Sequence, residues 1–307
     1  MSGPIIQAES LARWYGEVIG LSDLSVEVEP GITGLLGPNG AGKSTFMRLI
    51  VGELRPSRGS LRVLGMDPFA NRALYKRLGF APQQDALFED MTGLQFVRHL
   101  LRLGGFSRSE ATQRAARAMD RVGLADSMDR ACKGYSKGMR QRTRLAQAMA
   151  HDPELLVLDE PLTGLDPVAR RQAMDLFRDL VAEGKSLIVS SHVLHEVQSL
   201  TETIVLLHRG RLLAKGSVGE IRKLLSNHPR EVRIRAHRTR PLGTALLAME
   251  HVRRVELIGE DSLLVRTDQL ETFFEALPAV IERVQPGVEA MTSSDADLES
   301  VFDFLVQ

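Results

Sequence analysis

The run Gly37-Pro38-Asn39-Gly40-Ala41-Gly42-Lys43-Ser44 does most to narrow what this chain can fold into. It fits the pattern G-x-x-x-x-G-K-[ST], with Thr45 following. An apolar run, Gly31 to Leu36, precedes it, and a helix-patterned run, Lys43 to Val51, grows out of it. Small residues are required in such a turn because backbone N–H groups must approach phosphate oxygens closely. Lys43 is then placed to reach the β- and γ-phosphates of a nucleotide, and the Ser44 hydroxyl to bind Mg²⁺. The helix that starts there points its positive dipole end at the same phosphates. A chain of this length shows the pattern by accident on the order of one time in a hundred. The flanking strand and helix make accident rarer still.

A second run, Leu155-Leu156-Val157-Leu158, ends in Asp159-Glu160. Acids at the end of a buried strand are commonplace when they merely reach solvent. With a phosphate loop upstream they take on roles: Asp159 holds Mg²⁺, directly or through water, and Glu160 polarises an attacking water. Leu155 to Leu158 and Ser186 to Ser190 are short continuous apolar strands of the kind buried on both faces of a parallel sheet. Helical patterns, notably Pro167 to Glu183, separate them, which predicts an α/β domain. Val26 and Val28 alternate with charged neighbours, as a half-exposed antiparallel strand would. From about Leu87 to Ala150 there is little β signal, and the segment reads as an inserted helical subdomain.

After Arg211 a short strand and helix close the first domain near Asn227, and His228-Pro229 mark a linker. The domains expected are therefore 1–227 and 228–307. The second shows a helical segment from Pro241 to Met249 and two strands around Gly259-Glu260-Asp261. A helix from Leu270 to Leu277 and a strand from Val284 to Met291 follow. The order β-α-β-β-α-β is a ferredoxin-like pattern. Arg230, Arg233, Arg235, Arg238 and Arg240 lie at its start. Because Val232 and Ile234 alternate with them and aromatics are absent, they read as a solvated strand face rather than a nucleic-acid contact.

Composition sets outer bounds. The 307 residues suggest about two domains. The 39 basic and 39 acidic residues cancel, so no long-range field draws the chain to nucleic acid or acidic lipid. The single cysteine, Cys132, excludes an intrachain disulfide, fits a reducing cytoplasm and reads as a buried thiol. The first residues, Met1 to Leu11, lack the pattern of a signal peptide, and the apolar runs fall far short of the ~20 residues that span a bilayer. Any membrane role is expected to come through a partner.

Between the loop and the acidic strand lies Tyr135-Ser136-Lys137-Gly138-Met139-Arg140-Gln141-Arg142. Together with them it resembles the signature of the ABC (ATP-binding cassette) transporter ATPases. The usual Leu-Ser-Gly-Gly-Gln is altered at Tyr135, Lys137 and Met139, while Ser136 and Gly138 remain. The resemblance covers about residues 5 to 225 with six motifs in order. It implies a P-loop NTPase core of the ABC type with antiparallel β and helical subdomains, followed by a small α+β domain.

The resemblance also implies residue roles. Gly37, Pro38, Asn39, Gly40, Ala41, Gly42, Lys43, Ser44 and Thr45 bind ATP, and Tyr15 stacks on adenine. Ser136 and Gly138 touch the γ-phosphate of a neighbouring copy, and Asp166, in Gly164-Leu165-Asp166, lies in the loop that communicates between paired subunits. Gln83 senses Mg²⁺ and faces the membrane partner, with Gln84 a weaker substitute. His192 contacts the γ-phosphate. Mg²⁺ is held by Ser44, Asp159 and Gln83, and catalysis falls to Glu160, His192, Lys43 and Gln83. A zinc reading of His192 with His195 lacks third and fourth ligands.

One phosphate loop and one signature make half of each of two sites, so a second nucleotide-binding subunit, a homodimer, is expected. A separate transmembrane permease would hold the chain at the cytoplasmic face of the membrane. Export is implied by the variant signature and by the ending Asp297-Leu298-Glu299-Ser300-Val301-Phe302, which looks like the tail of exporter ATPases. The runner-up is a soluble ABC ATPase acting on ribosomes or DNA, and those types carry two cassettes or a long coiled-coil insertion. A kinase reading leaves Ser136 to Arg142 and His192 without a role.

Overall fold

A computed structural model of the chain describes residues 3–83, 87–217, 220 and 230–293. Gln84, the helix expected near Asn227 and the stretch Asp297 to Phe302 lie outside the described residues, as does the side chain of His195. The chain divides into two compact units, Met1–Val218 and Gly219–Gln307.

The first unit opens with β1 (Ile6–Tyr15) and β2 (Val18–Val28), an antiparallel pair, and β4 (Arg58–Val63) joins the other edge of β1. Leu24, Val26 and Val28 are buried while Ser25 and Glu27 are exposed, the alternation of a sheet with one wet face. A second sheet has the order β5-β6-β7-β3-β8-β9. Its strands are β3 (Ile32–Leu36), β5 (Leu78–Ala81), β6 (Leu155–Leu158), β7 (Ser186–Ser191), β8 (Thr203–His208) and β9 (Arg211–Ser217). The five strands from β5 to β8 run parallel, and β9 is added antiparallel at one edge. Every residue of β6 and β7 is buried, as expected of strands covered on both faces. Truncating one of these leucines to Ala would cost about 2–5 kcal/mol.

This sheet is what gathers the site. Parallel strands end on the same side, and ligands of open α/β sheets bind beyond the carboxyl ends. The phosphate loop follows β3, Gln83 follows β5, Asp159-Glu160 follow β6 and His192 follows β7. Leu158 stands beside Val189, so β7 runs two residues past the end of β6 and brings Ser190 level with Asp159.

The helical insertion holds α3 (Gly93–Leu103), α4 (Arg108–Arg121) and α5 (Lys137–Met149); α1 (Lys43–Ile50) and α2 (Arg72–Tyr75) precede it. Each insertion helix starts on a side-chain cap. Thr92 and Gln95 form a reciprocal capping box on α3, Ser107 caps α4 and Ser136 caps α5. Cys132 is fully buried here, and burial pushes its thiol above the usual value, the signature of an unreactive packing residue. α6 (Pro167–Ala182) and α7 (Leu194–Gln198) complete the unit.

The second unit runs β10 (Arg230–Ala236), α8 (Thr239–Leu247), β11 (Val252–Ile258), β12 (Ser262–Thr267), α9 (Leu270–Val284) and β13 (Val288–Ser293). Its antiparallel sheet has the order β11-β12-β10-β13. Val232, Ile234 and Ala236 are buried while Arg233 and Arg235 are exposed, so these arginines occupy a solvated face. Two of the boundaries that differ from the sequence reading have a plain physical cause. The helix expected to end at Leu277 continues as α9 to Val284, because Phe273, Leu277 and Val280 form one buried stripe across Pro278. The chain leaves α9 through Gln285 in a left-handed conformation, so the last strand begins at Val288 rather than Val284.

Candidate functional site

The phosphate loop is fixed by contacts that only glycine permits. Gly42, at φ 103°, starts α1, and a β-carbon there would lie 2.7 Å from the Gly20 carbonyl oxygen. Gly42 also has no side chain to cap the helix, so the first-turn amides keep their capacity for an incoming anion. Lys43 is 7% exposed and folds back over the loop, its Nζ donating to Gly37 O at 2.5 Å and Pro38 O at 3.2 Å. Burial pulls the Lys43 ammonium below its ordinary pKa, while Glu160 and Asp159 pull it back up. The lysine charge and both carboxylates therefore share one site.

Asp159 and Glu160 are both buried. Ser190, itself fully buried, connects them: its hydroxyl donates to Asp159 Oδ1 at 2.7 Å and accepts from the Glu160 N–H at 2.7 Å. One hydroxyl thus uses both its donor and an acceptor lone pair. Glu160 adopts φ 51°, a left-handed conformation that costs a non-glycine residue about 1–3 kcal/mol. Its main chain is held on both sides, by Ser190 at the amide and by Gln141 Nε2 at the carbonyl, 3.3 Å away. The turn swings the Glu160 carboxylate toward His192, whose Nδ1 lies 3.0 Å from each oxygen. Thr163 Oγ1 donates to Oε2 at 3.2 Å. His192 keeps 52% of its side chain exposed, so it can meet a ligand while oriented by Glu160.

Tyr15 ends β1 beside this loop. Its hydroxyl is 3.4 Å from Thr45 Oγ1, and the Arg13 guanidinium covers one side of the ring, 5.2 Å from its centroid. Gln83 is exposed just past β5.

Ser136, Gly138 and Asp166 form a separate group. Ser136 is exposed and spends its hydroxyl oxygen on the Met139 amide at 3.2 Å. Asp166 is exposed and caps α6 through the amides of Val168 and Ala169, at 3.0 and 2.9 Å. A β-carbon at Gly138 would lie 3.6 Å from Gly164 O, so the signature segment adjoins the 164–166 loop. The contacts described for these three residues lie within that neighbourhood and not on the phosphate loop.

Ser190, Thr163 and Gln141 were not singled out from sequence. Ser190 left a faint signal, a polar residue closing an otherwise apolar strand. Thr163 and Gln141 left none. Among the described residues no group of three or more His, Cys, Asp or Glu side chains is placed to hold a metal.

A parallel sheet with a glycine phosphate loop after one strand and paired acids after the next strand but one defines a phosphate-loop nucleoside triphosphatase. The ABC transporter family model matches residues 21–163. The daunorubicin/doxorubicin resistance ATP-binding protein DrrA of Streptomyces peucetius is 33% identical over 97% of this chain and 91% of its own length. The bacitracin transport ATP-binding protein BcrA of Enterococcus faecalis is 34% identical over 71% of each chain. A solved ATP-binding subunit of an ABC transporter superposes with a TM-score of 0.65, at 27% identity over 72% of this chain and 93% of that one. The chain belongs to the ABC transporter family, as an ATP-binding, ATP-hydrolysing subunit. No described helix is long and apolar enough to cross a membrane.

Proposed function

We propose that this subunit powers a separate membrane-embedded permease, working as an exporter, by pairing two copies around ATP. The observation that carries the pairing is the division of the site. Lys43, Asp159, Glu160 and His192 meet beyond the carboxyl ends of the parallel strands, while Ser136 stands exposed at the start of α5. A second copy, turned head to tail, would supply Ser136 and Gly138 to the phosphates that the first copy's loop holds. Export is supported by likeness to resistance and antibiotic-transport ATP-binding proteins, the first of which extends through the second unit. Within that second unit we assign residues 228–307 to an accessory domain, following a nucleotide-binding domain of residues 1–227.

The reaction is in-line attack of water on the γ-phosphorus, which breaks its bond to the β–γ bridging oxygen and releases ADP and phosphate. Glu160 orients and polarises the water, and His192 and Lys43 offset the charge that develops on the phosphoryl oxygens. Tyr15 stacks on adenine. The Ser44 hydroxyl, the Asp159 carboxylate and the Gln83 amide oxygen are an all-oxygen donor set of the kind Mg²⁺ takes. Mg²⁺ held there would neutralise charge on the β- and γ-phosphates. The Ser190 hydroxyl fixes the Asp159 carboxylate through its Oδ1.

Glu160→Gln tests the mechanism and the pairing together. Removing the base should lower turnover by roughly 100- to 10,000-fold. ATP should still bind, and the variant should run as an ATP-dependent dimer in light scattering. Ordinary turnover in the variant would take Glu160 out of the reaction. A chain that hydrolyses ATP yet stays monomeric throughout would overturn the shared site. The permease is tested by what co-purifies from detergent-solubilised membranes: a polypeptide with several spanning helices supports it, and ribosomal proteins or DNA overturn it.

A further inference from the structure

α5 is fastened along the free edge of the six-stranded sheet by side chains rather than by a strand. β5 closes that edge and pairs only with β6. Carbonyls along a strand alternate in direction. Those of Arg77 and Ala81 point to β6 and accept from the amides of Leu155 and Asp159 at 3.1 and 2.9 Å. Those of Leu78, Phe80 and Pro82 point the other way and meet α5 and the residues just beyond it. His151 Nε2 lies 3.0 Å from Leu78 O, Gln147 Nε2 donates to Phe80 O at 3.3 Å, and Arg144 Nη1 donates to Pro82 O at 2.7 Å. A carbonyl only accepts, so the His151 contact requires a proton on Nε2.

Arg144 does more than continue this ladder. The same Nη1 donates to Gln83 O at 2.7 Å, and Nη2 donates to Gln141 Oε1. Gln141 Nε2 in turn donates to Pro161 O at 2.9 Å and Glu160 O at 3.3 Å. Arg144 and Gln141 are both buried. A single buried fork therefore ties the main chain at Gln83 to the helix capped by Ser136 and, through one amide, to the main chain of Glu160.

We propose that Arg144 is a positioning residue for ATP hydrolysis: it fixes the backbone of Gln83 relative to Glu160 and to the start of α5. The inference rests on the proposed reading in which Gln83 faces Mg²⁺ and Glu160 orients the water. It adds the device that holds the two in register. The loop after β5 leaves the sheet without a strand on its outer side, so the guanidinium stands where a neighbouring strand's amides would be. Only a planar fork reaches two carbonyls and an amide oxygen together. A lysine in its place is a single point charge on a flexible stem.

The test is a double-mutant cycle on the full-length chain with Arg144→Met, Gln83→Ala and both together, and Arg144→Lys as the conservative variant. Turnover number, KM for ATP and the Mg²⁺ concentration at half-maximal rate are measured for each, with thermal melting as a check on folding. A displacement of about 1 Å at a reacting centre lowers rate by up to about 100-fold, so Arg144→Met should lose roughly 10- to 100-fold in kcat. It should need more Mg²⁺ and keep KM for ATP within about twofold, because the bonds that tie Arg144 into this ladder end on Pro82, Gln83 and Gln141, none of them a phosphate-loop residue. Arg144→Lys should recover part of the loss. In the Gln83→Ala background the Arg144 substitution should add nothing, the mark of two residues acting as a unit.

Wild-type kcat in both Arg144 variants, with Gln83→Ala impaired, would overturn the positioning role and leave the Gln83 reading standing. Losses that multiply in the double variant would overturn it as well, since Arg144 would then act apart from Gln83. Wild-type kcat and Mg²⁺ dependence in Gln83→Ala would remove Gln83 from the reaction and this inference with it. Should Arg144→Met fold poorly, Arg144→Lys carries the same cycle.

Discussion

Two groups of residues in this chain are expected to meet nucleotide, one on its own copy and one across the proposed pair, and they are built in opposite ways. Lys43, Asp159, Glu160 and Ser190 are buried, bonded to one another or to the surrounding main chain, and one of them holds a left-handed backbone. Ser136 and Asp166 are exposed, and each spends its side-chain oxygen on the first turn of its own helix. Strain and buried charge accumulate where chemistry must be held in one geometry. A cap on a helix start asks only for local geometry and leaves the outward side open. The contrast teaches that the first group is pre-organised within one copy. The second, on the proposed pairing, would be displayed for the second copy.

The largest expected effect that sharpens this contrast is on the buried side. Lys43→Ala removes a charge-assisted contact to phosphate, worth roughly 10- to 100-fold in ATP affinity. It also removes stabilisation of the transferring phosphoryl group, roughly 100- to 1,000-fold in turnover. Nucleotide binding measured by calorimetry checks the first figure and steady-state hydrolysis the second. Unchanged binding would contradict the phosphate-loop assignment.

Next in size is a substitution on the exposed side. Ser136→Asp keeps an N-cap of equal quality, so α5 should remain intact. It also turns a negative charge toward the γ-phosphate of the partner copy, and turnover should fall about 100-fold. Mixing this variant with Lys43→Ala gives mixed dimers in which one site has an intact lysine and an intact serine. Random pairing makes half the dimers mixed with one good site of two, so activity should return to roughly a quarter of the wild-type rate. No recovery on mixing would break the comparison, because Ser136 would then serve its own chain's nucleotide.

How much of this was legible in the sequence follows the same division. The phosphate loop and the acidic strand end could be read because they are contiguous, and their chemistry demands particular residue types at fixed spacing. Their place at strand ends of a parallel sheet followed from the alternation of short apolar strands with helices. Tertiary connections did not show. Ser190, Gln141 and Arg144 act on residues 19 to 62 positions away, through side chains that a one-dimensional reading takes for a strand end and a basic helix. The length of α9 was hidden for another reason. A proline marks a helix end by default, and here a buried stripe running through it outweighs the lost hydrogen bond.

Ser190→Ala probes the inner group at a smaller scale. Removing the hydroxyl strands the buried Glu160 amide and frees Asp159 Oδ1, a loss of about 1–3 kcal/mol in stability. With both acids less firmly held, kcat should drop roughly tenfold while KM for ATP stays put. Denaturant unfolding and steady-state kinetics give the two numbers. A loss of stability with unchanged kcat would reduce Ser190 to a packing role.

The smallest effect separates the two uses of Asp166. Its carboxylate accepts from the Ala169 amide first and the Val168 amide next, and these hold its pKa below the ordinary value of 3.8. A depressed carboxylate pKa contributes stability that is fully present above the unfolded value and is lost as pH falls through the folded one. Asparagine caps helices equally well without titrating. Asp166→Asn should therefore melt close to wild type at neutral pH, and any small wild-type advantage should fade below about pH 4. If Asp166 serves only α6, hydrolysis in the variant should match wild type. If its outward oxygen also meets the partner copy, turnover should fall at pH 7 while melting does not, placing Asp166 with Ser136 among the residues displayed for a second chain.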